Sequence, residues 1–147
     1  FISGQKVVDV GTGAGFPGMP LAIVNPAVQY TLLDSNGKKS RFLWEVKRAL
    51  MLTNVEIETV RVESWLPTKR FDAVVTRAFA DLATTLVRVD HVLSDQGMVY
   101  AMKTQQAQHE IESLPDATRS VTAETINVPG RDWSFQLLAV QPHVEAS

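Results

Sequence analysis

The sequence predicts an α/β domain built on a mostly parallel sheet, with helices on both faces and an antiparallel hairpin at its carboxyl end. Three observations carry this expectation. Short apolar runs rich in Val, Leu and Ile recur along the chain with helical patterns between them, as strands buried on both sides require. The first run leads directly into a glycine-rich turn, "DVGTGAGFPG", and then into a helical pattern. The last two extended segments are parted by little more than "PGRDW", too short for a parallel crossover and suited to a hairpin.

Taken in order, the pattern predicts a strand over Lys6–Val10 and a helix over Pro17–Val24, where Pro17 suits the first turn because an amide hydrogen there would have no partner. A strand over Gln29–Asp34 follows, then a long helix over Gly37–Leu52. Phe42, Leu43, Val46, Ala49 and Leu50 fall at helical spacing and are expected to form its core face, with Lys38, Lys39, Arg41, Lys47 and Arg48 on much of the remainder. Strands are predicted over Val55–Thr59 and Phe71–Thr76, a helix over Leu82–Val92, a strand over Gly97–Lys103 and a short helix near His109–Leu114. The hairpin is expected over Val121–Val128 and Ser134–Val140.

The totals narrow the function classes. At 147 residues and 45% hydrophobic content, the chain fits one domain over residues 1–147 with a real core. Its 14 Lys and Arg against 16 Asp and Glu give a formal charge of −2, without the positive excess of a protein that grips nucleic acid over its whole surface. Any nucleic-acid contact is therefore expected to be local. No run approaches the ~18 apolar residues of a membrane span, so a cytoplasmic protein with no membrane contact is expected, and a monomer is expected as well. The absence of cysteine excludes disulfides, thiolate metal sites and a sulfur nucleophile. His91, His109 and His143 lack metal-ligand spacing, so no metal is expected.

The glycine turn carries the first functional signal. A strand followed by Gly11, Gly13 and Gly15 and then a helix offers bare backbone for close approach of a nucleotide-like ligand. Asp34, ending the next strand, falls where a carboxylate accepts hydrogen bonds from ribose hydroxyls. These residues do not choose the cofactor, since Gly13–Gly18 also satisfies the G-x-G-x-x-G dinucleotide pattern. Asp9 ahead of the turn is suited to the cationic amino-acid end of S-adenosylmethionine, a group that NAD lacks. The antiparallel closing hairpin and the short chain favour methyl transfer too. A small NAD(P)-binding oxidoreductase domain and a non-catalytic nucleotide-binding module for ribosome assembly stand as alternatives.

Ligands of open α/β sheets bind beyond the carboxyl ends of the strands, and "FDAVVTRAFA" delivers Thr76, Arg77, Ala78 and Phe79 there. No Pro-Pro-aromatic tetrad for exocyclic amines, no cysteine for pyrimidine carbon five and no carboxylate set for metal-assisted O-methylation occurs at that edge. Guanine N7 needs none of these. It bears an exposed lone pair and no proton, so holding it in line with the methyl donor would supply most of the rate. Arg77 is the expected positioning residue, its planar fork suited to the cofactor carboxylate or to guanine's acceptor edge. The backbone of Val62 and Glu63 is expected beside adenine, and Lys103, ending "MVYAMK", beside RNA phosphate.

With those residues in place, the chain resembles the bacterial small-subunit ribosomal RNA guanine-N7 methyltransferases, the RsmG family, also called glucose-inhibited division protein B. The likeness rests on "VVDVGTGAGFPGMPLAIVNP", "TLLDSNGKKSRFLWEV", "NVEIETVRVES", "FDAVVTRAFA" and "YAMK". It implies a Rossmann-like class I methyltransferase that uses S-adenosylmethionine on one guanine of 16S ribosomal RNA in the small ribosomal subunit. It also implies cofactor contacts at Gly11, Phe16, Val62, Glu63 and Arg77, with Gly13 in the same turn and Asp34 at the ribose. Lys38, Lys39, Arg41 and Lys103 become the RNA-side residues. Family members carry a helical segment ahead of the first strand, which this chain is expected to lack.

Overall fold

The computed structural model describes residues 2, 4–77, 80–103, 107–114 and 120–142. β1 (Lys6–Val10) is an interior strand of the sheet, with four of its five residues buried, Val7 toward one face and Val8 and Val10 toward the other. After the glycine turn come α1 (Gly18–Val24), β2 (Gln29–Leu33), α2 (Gly37–Ala49) and β3 (Val55–Glu58). A single 3-10 turn at Val62–Ser64 precedes β4 (Phe71–Arg77), α3 (Leu82–Val89) and β5 (Leu93–Lys103). α4 (Ala107–Glu112), β6 (Ser120–Asn127) and β7 (Ser134–Gln141) complete the fold.

The seven strands lie in the order β3-β2-β1-β4-β5-β7-β6. β1, β2, β3, β4 and β5 pair in parallel, while β7 runs antiparallel to both β5 and β6. The chain leaves β1 toward β2 on one side and returns through β4 on the other, so the strand order reverses beside the carboxyl end of β1. That reversal opens a crevice where the flanking connections diverge.

Two cores flank the sheet. α1 and α2 cover one face through Met19, Ala22 and Leu43 against Val7, Leu32 and Val75. α3 covers the other through Leu82, Leu86 and Val89 against Val8, Val74, Val99 and Leu138. The i, i+4, i+7 spacing on α3 places those three side chains on one stripe, and each such burial contributes about 1.5–3 kcal/mol.

The fold differs from the sequence expectation most clearly in α2, α3 and β5. α2 ends at Ala49, since Met51 takes a positive φ of 51° that stops the helix. Its inward side is Ser40 and Leu43 with Val46 partly buried, whereas Phe42 and Leu50 are about half exposed and Ala49 is exposed. α3 closes at Val89 and the chain passes through a 3-10 turn into β5, which starts at Leu93, four residues before Gly97. The shift in register from Phe71↔Leu93 to Ala73↔Met98 absorbs the extra residues, which explains why the polar "SDQG" stretch hid the strand's start.

Candidate functional site

The turn after β1 is shaped by glycines at positive φ, with Gly13 at 59° and Gly15 at 100°. A Cβ on Gly15 would lie 3.0 Å from the Leu43 side chain and 3.1 Å from Met19 Cβ, so the turn fits closely against α1 and α2. Gly18 has no room for a side chain at all. A Cβ there would run into Leu32 and lie 2.8 Å from Asp9 Oδ2. Pro17 is the cap residue just before α1 rather than its first helical residue.

Two carboxylates hold this turn from below. Asp9 is fully buried, and its Oδ2 accepts from the Thr12 hydroxyl at 2.7 Å and from the Gly18 amide at 2.8 Å. Asp9 Oδ1 has no hydrogen-bond partner among the described residues. Burial pushes the Asp9 carboxyl up from 3.8 to about 7, against the opposing pull of those bonds and of the Arg77 charge. Asp9 therefore sits beneath the turn. It reaches the open surface only through the backbone it holds. Asp34 accepts from the Gly13 amide at 2.9 Å through Oδ2 and from the Asn36 amide at 2.9 Å through Oδ1.

An open cavity of about 160 Å³ lies beside the turn, lined by Gly11, Asp34, Val62 and Glu63 among others. Four residues picked separately from the sequence thus meet on one wall. Val10, Leu33, Ser35, Val60, Arg61 and Arg88 complete the lining. Arg88 reaches it from α3, with Nε 3.2 Å from Glu63 Oε1. Nothing local in the sequence marks Arg88, because its place depends on how α3 packs.

Across the crevice, Arg77 is exposed at the end of β4 and its Nε donates to the Phe16 carbonyl at 2.9 Å. This bond ties β4 to the glycine turn, and Phe16 itself is half exposed. Ala78 and Phe79 lie outside the described residues, as does His143. Lys38, Lys39 and Arg41 are exposed on the first turns of α2.

Lys103 requires a correction. It is 6% exposed, donates to the Ala80 carbonyl at 2.8 Å and lies 3.0 Å from Glu110 Oε1, so its ammonium is turned inward rather than out to solvent, where an RNA phosphate would meet it. Alternation along β5 carried the signal, since Val99, Ala101 and Lys103 all fall on the inward face.

The site fits S-adenosylmethionine on the chemistry of its donors and acceptors. An ionised carboxylate offers about four acceptor positions, and Asp34 uses two on backbone, leaving acceptors for a ribose diol. Larger cavities of about 600 and 490 Å³ lie elsewhere, and none of the predicted cofactor residues lines either. Among the described residues, no group of three or more His, Asp or Glu side chains is placed to hold a metal. No helix among them is long and apolar enough to cross a membrane.

The family model described as rRNA small subunit methyltransferase G matches residues 1–135. The chain belongs to this family. Its relatives include the ribosomal RNA small subunit methyltransferase G of Idiomarina loihiensis, 43% identical over 95% of this chain and 68% of that protein. The protein of the same name from Nitrosococcus oceani is 38% identical over 97% of this chain and 66% of that one. The chain thus spans about two thirds of the length of these curated relatives. A SAM-dependent methyltransferase from Aquifex aeolicus superposes with a TM-score of 0.72, covering 95% of this chain and 83% of that one at 20% identity. The sheet is therefore that of a Rossmann-like methyltransferase, and methyltransferase G membership settles the cofactor class as S-adenosylmethionine rather than NAD(P).

Proposed function

We propose that this chain is the methyl-transfer core of a small-subunit ribosomal RNA methyltransferase acting on N7 of a guanine in 16S ribosomal RNA. The observation that carries the reading is the single cavity shared by Gly11, Asp34, Val62 and Glu63, next to an Arg77 bonded to the same turn. S-adenosylmethionine, when bound, supplies an electrophilic methyl group. Asp34 would hold the ribose, the backbone of Val62 and Glu63 the adenine, and the Gly11, Gly13 and Phe16 turn the remainder. Asp9 would act through that turn by holding Gly18 and Thr12 in place.

Arg77 is the positioning residue of this reading. One guanidinium nitrogen is occupied by the Phe16 carbonyl, leaving further donors for a carboxylate or for the acceptor edge of guanine. No group is asked to remove a proton, because guanine N7 carries none. Rate then comes from orientation, with Lys38, Lys39 and Arg41 steering RNA phosphate from α2. The protein would act as a monomer in the cytoplasm, on the small ribosomal subunit.

The test is methyl incorporation into small subunits that lack the modification, followed by mass mapping of methylguanine. Incorporation at one guanine is expected. Cofactor binding without any incorporation would favour a non-catalytic assembly module. Arg77→Ala is expected to keep the fold while lowering turnover by roughly a hundredfold; unchanged turnover would remove Arg77 from the site.

A further inference from the structure

The inward turn of Lys103 leaves an ion pair, with Lys103 buried and Glu110 partly buried, that has no part in the site described above. Three elements converge on it. Lys103 Nζ, from β5, donates to the Ala80 carbonyl at 2.8 Å and lies 3.0 Å from Glu110 Oε1, on α4. The same Glu110 oxygen accepts the amide of Leu82, the first residue of α3, at 2.9 Å. Between Ala80 and Leu82 stands Asp81, the α3 cap, whose carboxylate accepts from the Thr84 amide and hydroxyl. Lys103 and Glu110 thus clamp one carbonyl and one amide on either side of the cap. Ala80 lies three residues beyond Arg77, which is bonded to the glycine turn.

Stability alone does not account for this arrangement. A buried ion pair can be replaced by apolar side chains of similar volume at little cost or with gain. An apolar pair would nonetheless leave the Ala80 carbonyl and the Leu82 amide without the partners that fix them. What the pair adds is a defined position for Ala80 and Leu82, where α3 begins.

We propose that Lys103 and Glu110 are positioning residues that fix Ala80 and the start of α3, three residues along the chain from Arg77, and so set the acceptor side of the site. This assignment rests on the methyl-transfer reading above. It predicts that Lys103 acts on turnover without touching RNA, and that Glu110, which contacts no cofactor residue, acts equally.

The decisive variant is the full chain carrying Lys103→Met and Glu110→Leu, with Glu110→Gln alone as its companion. Apolar replacement is expected to leave S-adenosylmethionine affinity near wild type and to lower the melting temperature only by what the two unpaired backbone groups cost, while kcat for methyl transfer, read well below that temperature, falls about tenfold or more. Hydrogen exchange at the Leu82 amide is expected to rise clearly in the same protein. Glu110→Gln is expected to lower kcat without strengthening RNA binding. Wild-type kcat in the double variant, or tighter RNA binding by Glu110→Gln as its lysine is freed for phosphate, would overturn the proposal. Should the wild type transfer no methyl group, the methyl-transfer reading fails by itself, and Leu82 exchange still decides the clamp: protection equal to wild type in the double variant refutes it.

Discussion

On the β1–β2 side of the crevice, Asp9 and Asp34 accept hydrogen bonds from the backbone amides of Gly18, Gly13 and Asn36. On the β4–β5 side, Arg77 and Lys103 donate to the carbonyls of Phe16 and Ala80. The contrast follows from the local chain. A turn made of glycines at positive φ gathers amides that only an acceptor can satisfy, while β4 and β5 end beside carbonyls that call for donors. Burial differs as well. Asp9, Asp34 and Lys103 are buried, whereas Arg77 is exposed. Removing a buried member should therefore disturb folding along with function, and removing Arg77 should disturb function alone.

The largest expected effect comes from titrating the deepest carboxylate. The folded Asp9 value of about 7 lies above its ordinary 3.8, so the folded state holds a proton that the unfolded chain has already lost. The Asp9 contribution is fully present below about pH 4 and is lost as pH rises through 7, by up to about 4 kcal/mol. Asp9→Asn carries no such titration. Urea unfolding of both proteins should show the Asn variant gaining on wild type by that amount between about pH 4 and pH 8. A difference that stays flat with pH would mean that Asp9 is not desolvated, and the contrast in burial would collapse on that side.

Next in size is Gly18→Ala, where the new methyl would run into Leu32 and the Asp9 carboxylate. Overpacking at a site hemmed by a strand and a buried charge is expected to cost about 3 kcal/mol, read from the urea midpoint. A midpoint near wild type would show that α1 can lift from the sheet. Asp34→Ala should cost less, because the carboxylate bridges two amides near the surface of the cavity rather than beneath it. Calorimetry with S-adenosylmethionine is expected to show binding weaker by ~1–3 kcal/mol. Equal affinity would contradict the ribose role and leave Asp34 as a loop brace.

Much of this was legible in the sequence, for reasons that differ by region. The apolar runs fixed the parallel strands because both faces of the sheet are covered, and "PGRDW" left room only for a hairpin. Gly11, Asp34, Val62 and Glu63 were legible because each follows a strand at its carboxyl end, where topology forces convergence. α2 was misread, since Phe42 and Leu50 match helical spacing yet the helix rests on the sheet through Leu43 and Ser40, two positions that a hydrophobicity pattern does not favour together. Lys103 was misread because a lysine ending a strand resembles a solvated terminus. Its partner lies seven residues later, on a separate helix. Arg88 carried no local signal of any kind.

The smallest expected effect separates the cations that hold backbone from those that hold none. Lys38 and Lys39 stand in the first turn of α2, whose orphan amides are capped by Asn36 Oδ1. A positive charge at the positive end of a helix dipole is unfavourable by roughly 0.3–1 kcal/mol at low ionic strength. Replacing both by Gln should therefore raise folding stability by about 0.5 kcal/mol per site. If these side chains meet RNA phosphate, as Arg41 beside them would, the same change weakens binding across all sequences and reduces the salt dependence of affinity by roughly 0.7 per lost contact. Stability and RNA affinity would then move in opposite directions, which is the mark of residues placed for a partner rather than for the fold. A salt slope that stays at the wild-type value would remove Lys38 and Lys39 from the RNA surface and leave Arg41 as the cation of α2 assigned to it.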